Sequence, residues 1–230
     1  MKKSMHTILW ATILSVALSF TVGCSDEEST SVVVEEVSSV EEETEENDDA
    51  SSGEVVSSEN SGYTYELLED GTVAISGYEG TETNISVPST LDGYVVSQIA
   101  DHAFEANYDL ITVSIPDGVT YIGEGAFMDC ASLTDVSIPD TCSEVARAAF
   151  ASCTSLTSMT LPASVSVVLE EAFTACVSME TLVVGNEDLE YDSWGLIESG
   201  ENLDVVIVCP AGSAIETWAT ENGFITQELS

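Results

Sequence analysis

Apolar residues in the middle of the chain return at a fixed spacing of 23 positions. In residues 119–141 the apolar set is Val119, Ile122, Phe127, Leu133, Val136 and Ile138, separated by polar and small residues. The dipeptide Ala-Phe falls at Ala103-Phe104, Ala126-Phe127, Ala149-Phe150 and Ala172-Phe173. Three residues after each Phe comes Asn107, Cys130, Cys153 or Cys176, and six after it Leu110, Leu133, Leu156 or Met179. Each unit then ends in alternation: Val113/Ile115, Val136/Ile138, Met159/Leu161 and Leu182/Val184. Period-2 alternation predicts short strands over 110–115, 133–138, 156–161 and 179–184. Pro116, Pro139 and Pro162 close three of the units, and a residue without an N–H suits a strand end. The Ala-Phe segments, such as 124–128 and 147–151, are expected as single helical turns on the opposite side. A unit this short cannot bury its own apolar face, so it folds only by stacking on its neighbours.

The flanks read as caps. Tyr63 to Leu67 and Thr72 to Ser76 alternate around Asp70-Gly71, a hairpin signal. Asn84 to Val87 followed by Pro88 imitates a repeat strand, and the residues around Leu91-Asp92-Gly93 are an inserted loop. At the other end, residues 186–209 read as a decayed fifth unit. There Leu203, Val206 and Val208 keep the strand spacing after a one-residue insertion. Ser213-Ala214-Ile215-Glu216 is a capping box opening a short helix that Gly223 ends, and Phe224-Ile225 would add a last strand.

The unit Ile-x-x-x-Ala-Phe-x-x-Cys-x-x-Leu-x-x-Val-x-Ile-Pro resembles the BspA-type leucine-rich repeat, over about residues 63–226. The resemblance implies an α/β solenoid, with short parallel strands on a concave face, helical turns opposite and a cap at each end. It also implies a bacterial cell-surface setting, a general role in binding or adhesion, and no catalytic residues to carry over. Asn107 in place of Cys, Cys142 in place of Val and Gly185 in place of Pro depart from the pattern.

Charge narrows the partners. The chain holds 3 Lys and Arg against 42 Asp and Glu, and Arg147 is the sole basic residue after Lys3. Binding to nucleic acid or to an anionic membrane surface needs clustered positive charge, so both are excluded as partners. A polyanion of this kind is steered toward basic partners.

The first 23 residues read as an export signal: Lys2-Lys3, then an apolar run from Ile8 to Val22 that is short for a membrane span of about 20 residues. Gly23-Cys24 resembles a bacterial lipobox, with Thr21 where Leu is usual; Cys24 would then be lipidated and anchor the protein to a membrane. Ordinary cleavage near Ser19, giving a secreted protein, is the alternative. Residues 24–62 carry fourteen Asp or Glu after Cys24 and no Lys, Arg or aromatic residue, and are expected to be a disordered acidic tether. The repeat domain then comprises a cap at 63–94, four repeats over 95–185, and a decayed repeat with its cap over 186–226.

Cys130, Cys153 and Cys176 recur at one place in successive coils and are expected as buried thiols. Cys-x-x-Cys is absent, so neither zinc nor any other cofactor is implied. His102 is the one histidine after residue 6, and no nucleophile elbow or phosphate loop accompanies it, which predicts a non-enzymatic protein over a small hydrolase. What remains is the outward side of the strands: Thr112/Ser114, Asp135/Ser137, Ser158/Thr160, Thr181/Val183 and Val205/Ile207. This is a hydroxyl ladder ending in an apolar patch expected under the cap helix. Its low-charge hydroxyls and Asp135 offer a surface for an extracellular protein or glycan. A structural envelope lipoprotein with no soluble ligand is the other reading.

Overall fold

The computed structural model describes residues 55–58, 61–191, 193–198, 201–202 and 204–229. The expected export signal, Cys24 and most of the acidic tether lie outside the described residues.

Three antiparallel strands open the fold: Val55–Ser57, Tyr63–Leu67 and Val73–Tyr78. Asp70 shapes the second turn by accepting from the N–H and hydroxyl of Thr72, at 2.9 and 2.6 Å. Val55–Ser57 falls in the stretch expected to be tether. Val55 and Val56 stay exposed there, so apolar burial does not order them. Their backbone pairs instead with the free edge of Tyr63–Leu67, an edge that otherwise presents unpaired donors and acceptors.

From here the chain winds as a solenoid of about six turns. A front ladder is built from the strands anticipated in the repeats, the first two trimmed at both ends and the next two at their start. Asn84–Ser86, Thr112–Ser114 and Asp135–Ser137 form one parallel group. Ser158–Leu161, Thr181–Val184, Val206–Cys209 and Ile225–Glu228 form another. The strands of the second group have four residues rather than three, and Gly185 shows how the longer ladder continues. Its N–H donates to the Leu161 carbonyl at 2.8 Å, a bond that Pro at this repeat position could not make.

A second ladder escaped the sequence reading. Tyr94–Ile99, Tyr121–Ile122, Glu144–Val145, Val167–Val168 and Glu190–Tyr191 pair in parallel along another side of the coil. Most of these strands are two residues long, too short for alternation to register. Tyr94–Ile99 also folds back on Thr90–Leu91 through Asp92-Gly93, both with positive φ (48° and 92°). The inserted loop is therefore a two-residue hairpin of the type that Asp-Gly favours.

The Ala-Phe segments are turns, not the helical turns expected. Within each, N–H groups alternate between two destinations. Gly125, Phe127 and Asp129 donate to Arg147, Ala149 and Ala151 of the next coil at 2.8–2.9 Å, while Ala126, Met128 and Cys130 donate three residues back. The backbone achieves this by entering the left-handed region twice per coil. His102, Gly125, Ala148 and Glu171 (φ 53–61°) mark the first place, and Ala106, Asp129, Ser152 and Ala175 (φ 56–60°) the second. A residue with φ near +60° cannot continue a right-handed helix, and here its cost is offset by a third set of inter-coil bonds.

The core is one stack. Phe104, Phe127, Phe150 and Phe173 lie ring on ring, with centroids 4.9, 5.3 and 6.0 Å apart and planes within 9° of parallel. Tyr78 and Tyr63 extend the stack at one end, and Trp194, Trp218 and Phe224 at the other. The helix Ala214–Glu221 closes the C-terminal end, burying Ile215 and Ala219. Ser213 Oγ accepts from Glu216 N at 3.1 Å, but Glu216 returns its carboxylate to the N–H of Gly212 at 2.6 Å, one residue before the cap.

Candidate binding face

Strand register decides which side chains share the front face. Thr112 pairs with Asp135 and Ser114 with Ser137; Ser158 pairs with Thr181 and Thr160 with Val183. All eight point away from the core, which Val113, Val136, Met159 and Leu182 fill from the same strands. The register extends the two columns beyond the expected set, to Asn84 and Ser86 at one end. At the other end the expected Val205 and Ile207 are wrong. Ile207 pairs with Leu182, two residues beyond the repeat period rather than one, so Val205, Ile207 and Cys209 are buried. Val206 and Val208 take the outward positions, half-buried. The extra length lies after Leu196, where Ile197–Glu198 and Glu201–Asn202 pair as a small hairpin. The apolar end of the face is thus Val183, Val206, Val208 and the exposed Ile225, and it lies in the open sheet rather than under the cap helix. Leu203, the third residue of that expected strand spacing, lies outside the described residues.

Among the described residues, two groups of hydroxyls contrast. Thr120, Ser143 and Ser166, beside the second ladder, each reach back to the carbonyl one coil earlier, at 3.0–3.3 Å. Thr134 and Thr154 do the same near the turns. These side chains tie coils together. On the front face, Thr112 donates to Asn84 Oδ1 at 2.9 Å. Ser114, Asp135, Ser137, Ser158, Thr160 and Thr181 make no side-chain hydrogen bond among the described residues. Their polar atoms therefore face solvent with capacity to spare.

The repeated cysteines serve packing. The thiols of Cys130, Cys153 and Cys176 are buried and free, and each donates to the Phe carbonyl of the preceding coil (Phe104, Phe127 and Phe150) at 3.1–3.2 Å. Burial pushes Cys130 and Cys176 up to about 12, and Cys153 higher still. They are neutral donors, far from the thiolate a nucleophile needs. His102 sits exposed at a left-handed turn position with Nδ1 2.9 Å from Glu105.

Among the described residues, one ion-pair cluster was missed. Arg147 lies 3.4 Å from Glu124, 3.0 Å from Glu170 and 2.5 Å from Glu171, spanning three coils. Its signal was present: Asp101, Glu124, Arg147 and Glu170 share one repeat position, so a single cation sits within an acidic column.

A family model described as the BspA type leucine rich repeat region matches residues 81–221 in six copies. The chain belongs to this family. The BspA-type repeat solenoid is typically a non-catalytic scaffold, its members generally bind or build structures, and they are commonly bacterial cell-surface proteins. Among solved structures, the leucine-rich repeat protein of T. pallidum is 29% identical with a TM-score of 0.59, over 64% of this chain and 68% of that one. A leucine-rich repeat protein of Bacteroides capillosus is 30% identical with a TM-score of 0.51, over 56% of this chain and 97% of that one. A leucine rich cell surface protein of Faecalibacterium prausnitzii is 30% identical with a TM-score of 0.56, over 70% of this chain and 46% of that one. No curated protein matches the BspA-type chain.

Proposed function

We propose that this is a non-enzymatic binding or adhesion protein of a bacterial surface, presenting its front ladder to an extracellular protein or glycan. In this reading residues 1–23 are removed on export, Cys24 carries the lipid anchor, and the acidic stretch that follows holds the domain off the membrane. The observation that carries it is the contrast between the two groups of hydroxyls. Where Ser and Thr stabilise the coil they bond to it, and on the front face Ser114, Asp135, Ser137, Ser158, Thr160 and Thr181 are left unengaged. The chain's net charge of −39 favours partners with a basic surface.

The test is a binding screen against matrix proteins and a glycan array at physiological salt. Asp135→Ala and Thr160→Ala should weaken a saturable hit while leaving stability within about 0.5 kcal/mol, as outward positions allow. Hits indifferent to both changes would remove the front face from the function. Failure of Cys24→Ala to abolish lipid labelling would remove the anchor.

A further inference from the structure

At its N-terminal end the front ladder meets an open pocket of about 320 Å³, lined among others by Tyr63, Tyr78, Glu82, Ser61, Thr81 and Ser86. Ser86 belongs to both features, since it heads the column that continues through Ser114 and Ser137. The pocket thus supplies the aromatic surface that the ladder lacks. Tyr63 and Tyr78 face each other across the hairpin that Asp70 turns, rings 4.8 Å apart and tilted by 42°, as the last pair of the aromatic stack.

The floor is built by backbone. Gly62 has φ 71°, and a Cβ there would lie 3.0 Å from the N of Gly80. A Cβ on Gly80 would in turn overlap the Tyr78 hydroxyl. Glu79 N donates to Gly62 O at 2.7 Å and fixes the two segments together. Glu82 brings a full negative charge to this rim, near enough to Tyr63 to contribute, after burial and Tyr78, to raising that phenol to about 12. Among the described residues no cation pairs with Glu82, and the domain's one guanidinium is committed to Glu124, Glu170 and Glu171.

We propose that this pocket receives a protonated amine or guanidinium, the Lys or Arg side chain of a basic protein docked on the front face. The proposal rests on the reading of that face as a binding surface. A carboxylate supplies the counter-charge, three hydroxyls accept from the N–H groups, and the half-buried Tyr78 ring, backed by the buried Tyr63, holds the aliphatic stem and the cation. The field of a strongly anionic chain raises the local concentration of such a group. A neutral sugar ring could lie on the tyrosines but would leave Glu82 without a counter-ion, and an anionic ligand would be repelled.

The experiment is an amide NMR titration of the full chain with N-acetyl-lysine methylamide and N-acetyl-arginine methylamide at low ionic strength. N-acetyl-norleucine methylamide serves as the uncharged control. The cationic probes should move the amides of Gly62, Gly80, Thr81 and Ser86 saturably, and Glu82→Gln should weaken them about fivefold. Glu82 is exposed, so that variant folds. Equal shifts with norleucine, equal binding by Glu82→Gln, or unmoved pocket amides would each overturn the assignment. A partner that loses affinity on Asp135→Ala but binds Glu82→Gln as well as wild type refutes the pocket and spares the face. Amine probes that bind here, with every partner indifferent to Asp135→Ala and Thr160→Ala, do the reverse.

Discussion

Phe150→Ala tests whether the ring stack is what couples the two halves of the domain. Phe150 is fully buried, with Phe127 5.3 Å to one side and Phe173 6.0 Å to the other, both nearly parallel. Removing a buried Phe ring costs about 3–5 kcal/mol in lost transfer energy and cavity. The two ring contacts account for about 1–3 kcal/mol of that. A domain is typically stable by only about 5–15 kcal/mol, so the loss is a large share. A solenoid is held together by nearest-neighbour interfaces, and this cavity falls at a central one. The stabilities of the two halves should therefore separate. The assay is urea unfolding of residues 24–230, followed by far-UV circular dichroism and by tryptophan fluorescence. Trp194 and Trp218 both lie at the C-terminal end, so fluorescence reports that half while dichroism reports the whole. Wild type should show coincident midpoints; Phe150→Ala should show two that differ. Phe104→Ala, near the end of the stack, should lower stability and keep the midpoints together. Coincident midpoints in Phe150→Ala with a loss below about 1 kcal/mol would refute the coupling role.

Alkali should destabilise the domain through its buried thiols. Folded Cys130 and Cys176 sit near 12 and Cys142 near 11, against an ordinary 9.0, so their contribution is complete below pH 9 and is lost as pH climbs toward 12. Stability measured at pH 8, 9 and 10 should fall, and a variant with these three cysteines changed to Ala should flatten the slope. Arg147→Met leaves Glu124, Glu170 and Glu171 facing one another without a cation. Its melting temperature should drop at low salt and approach wild type near 1 M NaCl, and a salt-independent deficit would contradict the electrostatic origin. Gly185→Pro restores the repeat consensus but removes the N–H bond to Leu161 and places a Cβ 2.7 Å from Ala163 N. It should cost more than about 1 kcal/mol in chemical denaturation; a stabilised variant would contradict that account.

What could be read from the chain followed from what repeats. Phe127 and its equivalents marked the core because every coil must present the same apolar set to its neighbours. The front strands were legible because Val136 and Ile138 alternate with Asp135 and Ser137. The turn geometry was not. Ala148, Ser152 and Glu171 adopt positive φ where Gly would have signalled it, and the inter-coil bonds that stabilise this are invisible in a single unit. The second ladder was hidden by strands such as Tyr121–Ile122, two residues long. Register failed after Leu196, where a two-residue lengthening exchanged Val206 for Ile207 in the core; periodicity carries no information across an insertion. For the candidate face, residue types were legible. The distinction between hydroxyls that bind the coil and hydroxyls that do not required the fold.

The guanidinium held by three carboxylates also bears on how the domain meets digestive enzymes. Proteases of trypsin type need a Lys or Arg side chain to enter an acidic specificity pocket. Beyond Lys3 the chain offers them a single bond, that between Arg147 and Ala148. There the side chain they require is already engaged by Glu124, Glu170 and Glu171. The Ala148 N–H is bonded to Glu170 O at 3.1 Å, and the backbone is turned to φ 53°, far from the extended form such enzymes grip. Cleavage would wait for this coil to open. The domain would meet such enzymes with its one Arg bond already locked.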